Sequence, residues 1–383
     1  MDLSSCIDDS TLLELIDEHI LSVHSTANLS LKDKAHLRSL LFNSLRGLDI
    51  LQDLLDDPSI TEIMVNGPTD IFVERDGHMS KVSLQFSSRE KLSNIIQRIV
   101  AFSNRRVNLS CPITDTRLSD GSRVNIVLDP IALNGPIVTI RKFSSSPLTI
   151  DRLIDLHSIT AKAADFLKML VVSGYNIFVS GGTSSGKTTF LNVLSNYIPK
   201  EERVITIEDS AELSLLGVDN LVRLEMRQAN VEGQGAITIR DLIHSSLRMR
   251  PDRIVIGEVR GPEALDMLQA MDTGHNGCMS TGHANSASDM LGRLETMSLM
   301  AMDIPISAVK SQIASGLDII VHLGRTRDGA RKVLEITEID CFDGRDIILN
   351  PLYRYDIQQG LIRTTNKMIH TDKLLASGFS IDG

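Results

Sequence analysis

Residues 181–188 read Gly-Gly-Thr-Ser-Ser-Gly-Lys-Thr, the pattern G-x-x-x-x-G-K-[ST]. No other stretch restricts the fold as much, because this pattern works only as a tight loop between a strand and a helix. Both flanks are there: Ile177-Phe178-Val179 is a short apolar run, and Phe190 to Tyr197 reads as a helix. Glycines let the backbone curl until its N–H groups face a phosphate. The helix N-terminus adds partial positive charge. Lys187 is the residue type that reaches the β and γ phosphates, and the Thr188 hydroxyl is a Mg²⁺ ligand. Gly182, Thr183, Ser184, Ser185, Gly186 and Thr189 complete the expected cradle. The expected ligands are ATP and Mg²⁺.

The remaining chain supplies the elements this loop needs. Residues 10–57 carry leucines and isoleucines at helical spacing (Leu12, Leu13, Ile16, Ile20, then Leu40, Leu41, Leu45, Leu48), broken at 25–30 and stopped at Asp57-Pro58. An apolar face of this kind fits a cap packed on its own chain or a docking module for a partner. From Ile60 the period changes to strands at 60–65 and 71–74, a turn at Asp76-Gly77, a helix over 88–102, a hairpin over 117–124 and a strand at 137–141. Ser144-Ser145-Ser146-Pro147 is the best linker in the chain. The expected organisation is a helical segment (1–57), a small α+β domain (58–143), a linker (144–150) and a P-loop α/β domain (151–383).

In the last of these, apolar runs alternate with helices. The runs at 204–207, 253–257 and 277–281 end in Glu208-Asp209, in Glu258 and near His283. That alternation predicts a doubly wound parallel sheet, with polar groups gathered at the carboxyl ends of its strands. Glu258 has the setting of a Walker B carboxylate, with Gly257 where many ATPases carry Asp; it suits holding Mg²⁺ or polarising an attacking water. Glu208 and Asp209 are a second acidic candidate for metal and water, and His283 a candidate γ-phosphate sensor. Arg117, Arg123 and Arg141 are of the type that clamps phosphate, or are ordinary surface arginines.

The charge balance narrows the partners. With 39 Lys and Arg against 49 Asp and Glu, the net charge is −10, which argues against a protein wrapped around nucleic acid. Cys6, Cys111, Cys278 and Cys341 form no C-x-x-C pair, so no zinc ribbon is readable and reduced thiols are expected. The acidic start is unlike a signal peptide, and no apolar run is long enough to span a bilayer, so a cytoplasmic protein is expected.

Taken together the motifs resemble the secretion-superfamily ATPases of type II, type IV pilus and type IV secretion machines. The likeness rests on ITEIMVNGP, RLSDGSRVN, TIRKF, SGGTSSGKTT, ITIEDSAEL, LRMRPDRIVIGEVRGPEALDMLQAMDTGH, STGHANS and RLETM, over about residues 50–345. Within that superfamily the chain is most similar to the tight-adherence pilus (CpaF/TadA-type) branch. The tetracysteine motif of the type II branch is absent, and Gly261 follows Arg260 where retraction motors carry Asp. The resemblance implies a RecA-like P-loop ATPase domain beside a smaller α+β domain. It implies an Asp box at 207–209, an atypical Walker B at 256–258 and a His box at 280–285. It also implies arginines donated by the first domain, matched by Arg117, Arg123 and Arg141, and a homo-hexamer. The implied function is a cytoplasmic motor that drives pilus assembly or protein secretion through inner-membrane platform proteins, with pilin engaged indirectly and no nucleic acid. The competing expectations are a RecA-like nucleic-acid motor and a nucleotide-gated assembly regulator.

Overall fold

The computed structural model describes residues 7–23, 29–75, 77–101, 106–142, 148–229, 233–326 and 329–379. The chain divides into two compact units, Met1–Ser145 and Ser146–Gly383. The linker expected at Ser144 to Pro147 lies outside the described residues.

The first unit runs α1 (Asp9–Ser22), α2 (Leu31–Leu45), α3 (Ile50–Asp56), β1 (Ile60–Asn66), β2 (Ile71–Arg75), β3 (His78–Lys81), α4 (Arg89–Ala101), β4 (Ile113–Arg117), β5 (Arg123–Val127) and β6 (Ile137–Arg141). Side chains start the first two helices. Asp8 accepts the Thr11 N–H, and Ser30 and Asp33 form a reciprocal capping box. Leu51 and Leu54 of α3 and the Leu92–Val100 face of α4 share one core with β1, β2, β5 and β6. Ile16 and Ile20 of α1 are buried as well, as packing on the same chain requires. Among the described residues the strands make one antiparallel sheet in the order β3-β2-β1-β6-β5-β4.

The second unit runs α5 (Ile150–Asp155), α6 (Ala161–Val172), β7 (Ile177–Gly181), α7 (Lys187–Ser195), β8 (Arg203–Glu208), β9 (Asn220–Glu225), α8 (Ile239–Ser246), β10 (Arg253–Ile256), α9 (Glu263–Asp272), β11 (Met279–His283), α10 (Ala287–Ala301), α11 (Ile306–Gly316), β12 (Ile319–Arg325), β13 (Arg331–Phe342), β14 (Ile347–Asp356), β15 (Gly360–Arg363) and α12 (Asp372–Ala376). Their sheet has the order β15-β14-β13-β12-β7-β11-β10-β8-β9. From β12 to β9 every pairing is parallel. Of these strands β7, β8 and β10 are largely apolar because helices cover both faces; β7 and β10 are buried at every residue. Two cores result, one on each face.

The sheet is not wholly parallel, as the strand–helix alternation predicted. Beyond β12 it continues through antiparallel β13, β14 and β15. Buried Glu338 on β13 ties down the end of the chain, accepting the N–H groups of Ile369 and His370 at 2.9 and 2.8 Å.

Two polar anchors set the amino ends of the central strands. Buried Asn176 accepts the Cys278 N–H and donates to the Gly316 carbonyl, tying β7 to β11 and α11. Arg253, also buried, grips Glu202 through Nε and Nη2. Its guanidinium occupies the space a side chain at 277 would need: a Cβ there would stand 1.5 Å from Nη1. Gly277 also has φ +73°, so both the space and the backbone call for glycine.

Candidate nucleotide site

β7 ends at Gly181, where a Cβ would come within 2.5 Å of the Leu323 carbonyl. The chain then turns through Ser184 (φ +57°) and Gly186 (φ +92°) into α7. Gly186 makes no side-chain cap, so the first turn of α7 faces the loop with its N–H groups uncovered by a side chain. Nothing stands within 4 Å of a Cβ position on Gly182. Thr183, Ser184 and Thr189 are exposed, Thr188 half-buried and Ser185 buried. This donor set fits a phosphate chain, and the Thr188 hydroxyl with nearby carboxylates offers the oxygen ligands Mg²⁺ prefers.

A continuous polar chain leads away from Lys187, in the order of the strands. The buried Lys187 ammonium donates to the Gly182 carbonyl at 2.8 Å and lies 3.3 Å from His283 Nδ1 at the end of β11. His283 Nε2 stands 3.0 Å from Glu258 Oε1, just beyond β10. Arg260 Nη2 donates to Glu258 Oε2 at 2.6 Å, and its Nη1 lies 3.5 Å from Asp209, just beyond β8. The sequence of residues Lys187, His283, Glu258, Asp209 repeats the strand order β7-β11-β10-β8. Burial, reinforced by the Lys187 charge, lowers the His283 pKa. In its neutral form the ring would accept from Lys187 at Nδ1 and turn its Nε2 proton toward Glu258.

Glu208 is set differently from Glu258. Its Oε2 accepts the N–H groups of Glu212 and Leu213 at 2.7 and 2.8 Å, so it shapes the 209–213 loop. Burial pushes its carboxyl up, against the pull of those two bonds. A Cβ on residue 257 would meet Glu208 Cγ at 3.2 Å. A side chain at 257, where many ATPases carry Asp, would therefore press on Glu208.

Arg117, Arg123 and Arg141 belong to the first unit. Register places Arg117 opposite Arg123 and Arg123 opposite Arg141, a row across β4, β5 and β6, with Glu62 next on β1. The structure thus brings the three arginines together with one another.

Three further residues near the site have no role assigned from the sequence. Arg260 could have been found from its place two residues past Glu258. His322 stands opposite Ser180 in the β12–β7 register, with its Nδ1 2.9 Å from Ser180 Oγ and both residues buried. Arg331 donates from Nε to the Ser184 carbonyl at 3.1 Å. Both act through partners far away in sequence, and no local spacing signals them.

Among the described residues no group of acidic, His or Cys side chains is preassembled as a metal site. No helix is long and apolar enough to cross a membrane. Cys111 and Cys341 are exposed free thiols, and Cys278 is buried, its thiol pushed up to about 12 by burial; Cys6 lies outside the described residues.

A family model described as "Type II/IV secretion system protein" matches residues 44–369. The chain belongs to that family. It is 33% identical over 317 residues to a putative conjugal transfer protein of Mycobacterium tuberculosis, covering 81% of this chain and 89% of the relative. It is 33% identical over 311 residues to the type IV secretion system protein PtlH of Bordetella pertussis, covering 74% and 91%. Among solved structures it is similar to the Legionella pneumophila ATPase DotB, with TM-score 0.55 at 20% identity over 76% of this chain and 80% of that one. The pilus retraction motor PilT with bound ADP gives TM-score 0.54 at 17% identity, over 86% of each chain. These likenesses show a RecA-like P-loop ATPase fold for this family member.

Proposed function

We propose that this secretion-superfamily ATPase is a cytoplasmic motor that hydrolyses Mg-ATP to drive pilus assembly or protein export. The observation that carries the reading is the chain of groups Lys187–His283–Glu258–Arg260–Asp209 beside an open P-loop. An acid–base pair next to a phosphate cradle is what hydrolysis needs and what mere nucleotide storage does not.

Lys187 and the first turn of α7 hold the phosphates. Glu258 polarises the attacking water, and neutral His283 links it to Lys187, so that a change at the γ-phosphate is felt at both. Thr188, Asp209 and Glu258 would hold Mg²⁺ through their oxygens, and the bound ion would neutralise phosphate charge. Glu208 sets the loop that presents Asp209. The arginine row Arg117, Arg123 and Arg141 supplies further cationic charge to the triphosphate during transfer. The working form is a homo-hexamer, peripheral at the inner membrane through platform proteins, with pilin engaged indirectly. Within the family we assign it to the tight-adherence branch, on the missing tetracysteine motif and the Arg260-Gly261 pair.

The test is ATP hydrolysis with Mg²⁺ on size-separated protein, wild type beside Glu258→Gln and Arg123→Ala. Activity confined to a ring-sized species and lost in both variants supports the motor. A monomer that hydrolyses equally well, with Arg123→Ala silent, overturns the ring and the arginine role. Stimulation by single-stranded DNA would favour a nucleic-acid motor instead.

A further inference from the structure

Glu258 and His283 lie on one side of β7, following β10 and ending β11; β12 and β13 lie on the other. A triphosphate on the P-loop therefore has two distinct ends. Its γ end belongs on the β11–β10 side, with the acid–base groups. Its α-phosphate and nucleoside end then belongs on the β12–β13 side. β12 runs parallel to β7 with Leu323 opposite Gly181, so the turn after β12 rises at the same carboxyl edge as the P-loop.

Among the described residues that hairpin presents two arginines. Arg331 reaches the loop itself, donating to the Ser184 carbonyl at 3.1 Å, with its Cδ 3.6 Å from a Cβ position on Gly186. In a nest of this kind the N–H groups turn inward to an anion and the carbonyls turn outward. Arg331 meets the cradle through Nε, and no hydrogen bond among the described residues engages its Nη groups. Arg325 stands directly opposite Arg331 in the β12–β13 register, and both are exposed. Like charges placed opposite each other in a sheet are destabilising, and no carboxylate among the described residues is in ion-pair contact with Arg331. A bound anion relieves that repulsion.

We propose that Arg331 is a nucleotide-binding residue of the same chain, holding the α-phosphate end of the bound nucleoside di- or triphosphate, with Arg325 adding charge behind it. The proposal rests on the P-loop being a nucleotide site and adds the direction in which the nucleotide lies.

The experiment is binding of MgADP and of MgATP to the full chain, wild type beside Arg331→Ala, Arg331→Lys and Lys187→Ala, with melting curves recorded without nucleotide. The expected result is a Kd raised about tenfold by Arg331→Ala, the weight of one charge-assisted hydrogen bond. ADP and ATP are affected equally, Arg331→Lys recovers part of the loss, and the nucleotide-free melting point is unchanged. Unchanged ADP affinity in Arg331→Ala overturns the proposal. So does a loss confined to ATP, which would put the side chain at the γ end. A lowered melting point with no recovery in the Lys variant also overturns it, leaving Arg331 as a support of the loop alone. If wild type and Lys187→Ala bind ADP alike, the nucleotide site itself is misassigned, a failure distinct from the others.

Discussion

Arg260 donates to Glu258 through a 2.6 Å hydrogen bond, and the same guanidinium lies 3.5 Å from Asp209. Glu258 is thereby held on one oxygen by Arg260 and faced on the other by His283. If Glu258 polarises the water as proposed, it needs its free lone pairs aimed, and these two contacts fix its plane. Arg260→Ala should lower kcat about tenfold, as loss of an outer partner does at comparable sites. ADP affinity should hold, because Arg260 lies on the γ side. Steady-state hydrolysis beside ADP titration checks this; a variant as fast as wild type sinks the positioning role.

Glu258→Gln keeps the shape and removes the proposed base. Hydrolysis should fall about a hundredfold or more, while MgATP still binds, since the P-loop cradle is untouched. Single-turnover hydrolysis after a binding measurement separates the two steps. Near-normal turnover in this variant would move the base elsewhere.

Two glycines make steric predictions. Gly277→Ala puts a Cβ 1.5 Å from Arg253 Nη1 and does so at φ +73°. Arg253 is buried and paired with Glu202, so it has no easy retreat. The variant should lose about 2 kcal/mol or more of stability, read as a shift in urea midpoint. Gly257→Ala meets Glu208 Cγ at 3.2 Å, a milder clash. It should cost less than Gly277→Ala, and it should disturb hydrolysis more, because Glu208 sets the loop carrying Asp209. The reverse ranking of the two variants in stability would contradict this account.

How far the sequence was legible follows from the same geometry. The runs at 177–179, 204–207 and 253–256 are apolar at nearly every position, because parallel strands are buried on both faces. They could be read without a partner, and so could the polar residues that end them. β13 could not: Arg331, Lys332, Glu335, Glu338 and Asp340 interrupt it, and Pro351 sits inside β14. Its one buried charge among these, Glu338, is satisfied by Asn350 of β14 and by the N–H groups of 369–370, which the strand itself does not announce. The same holds at the site. Lys187, Glu258 and His283 follow local motifs. Ser180 with His322, and Ser184 with Arg331, meet only through sheet order.

The Ser180–His322 pair leads to a pH prediction. His322 is 6% exposed and sits beside the P-loop strand, opposite Ser180. Burial lowers its pKa, against the opposing pull of Glu335, the Asn285 carbonyl and Asp289; Lys187 adds to the lowering. In the unfolded chain the imidazole titrates near ~6.5. Below that pH the unfolded chain binds a proton that the folded chain refuses, so stability is full above ~6.5 and falls as the solution is acidified. His283 is lowered too, first by burial and then by Lys187, and acts in the same direction. Glu208, raised by burial, acts oppositely at lower pH, so the useful quantity is a difference between two proteins. Urea midpoints from pH 7.5 down to 5.5 should decline in wild type, by no more than about 1.4 kcal/mol per pH unit for each such group. In His322→Asn the decline should be shallower, because the variant keeps a polar partner for Ser180 and loses the titration. Parallel pH profiles for the two proteins would mean that His322 titrates alike in the folded and unfolded chain, and the lowering of its pKa by burial would have to be abandoned.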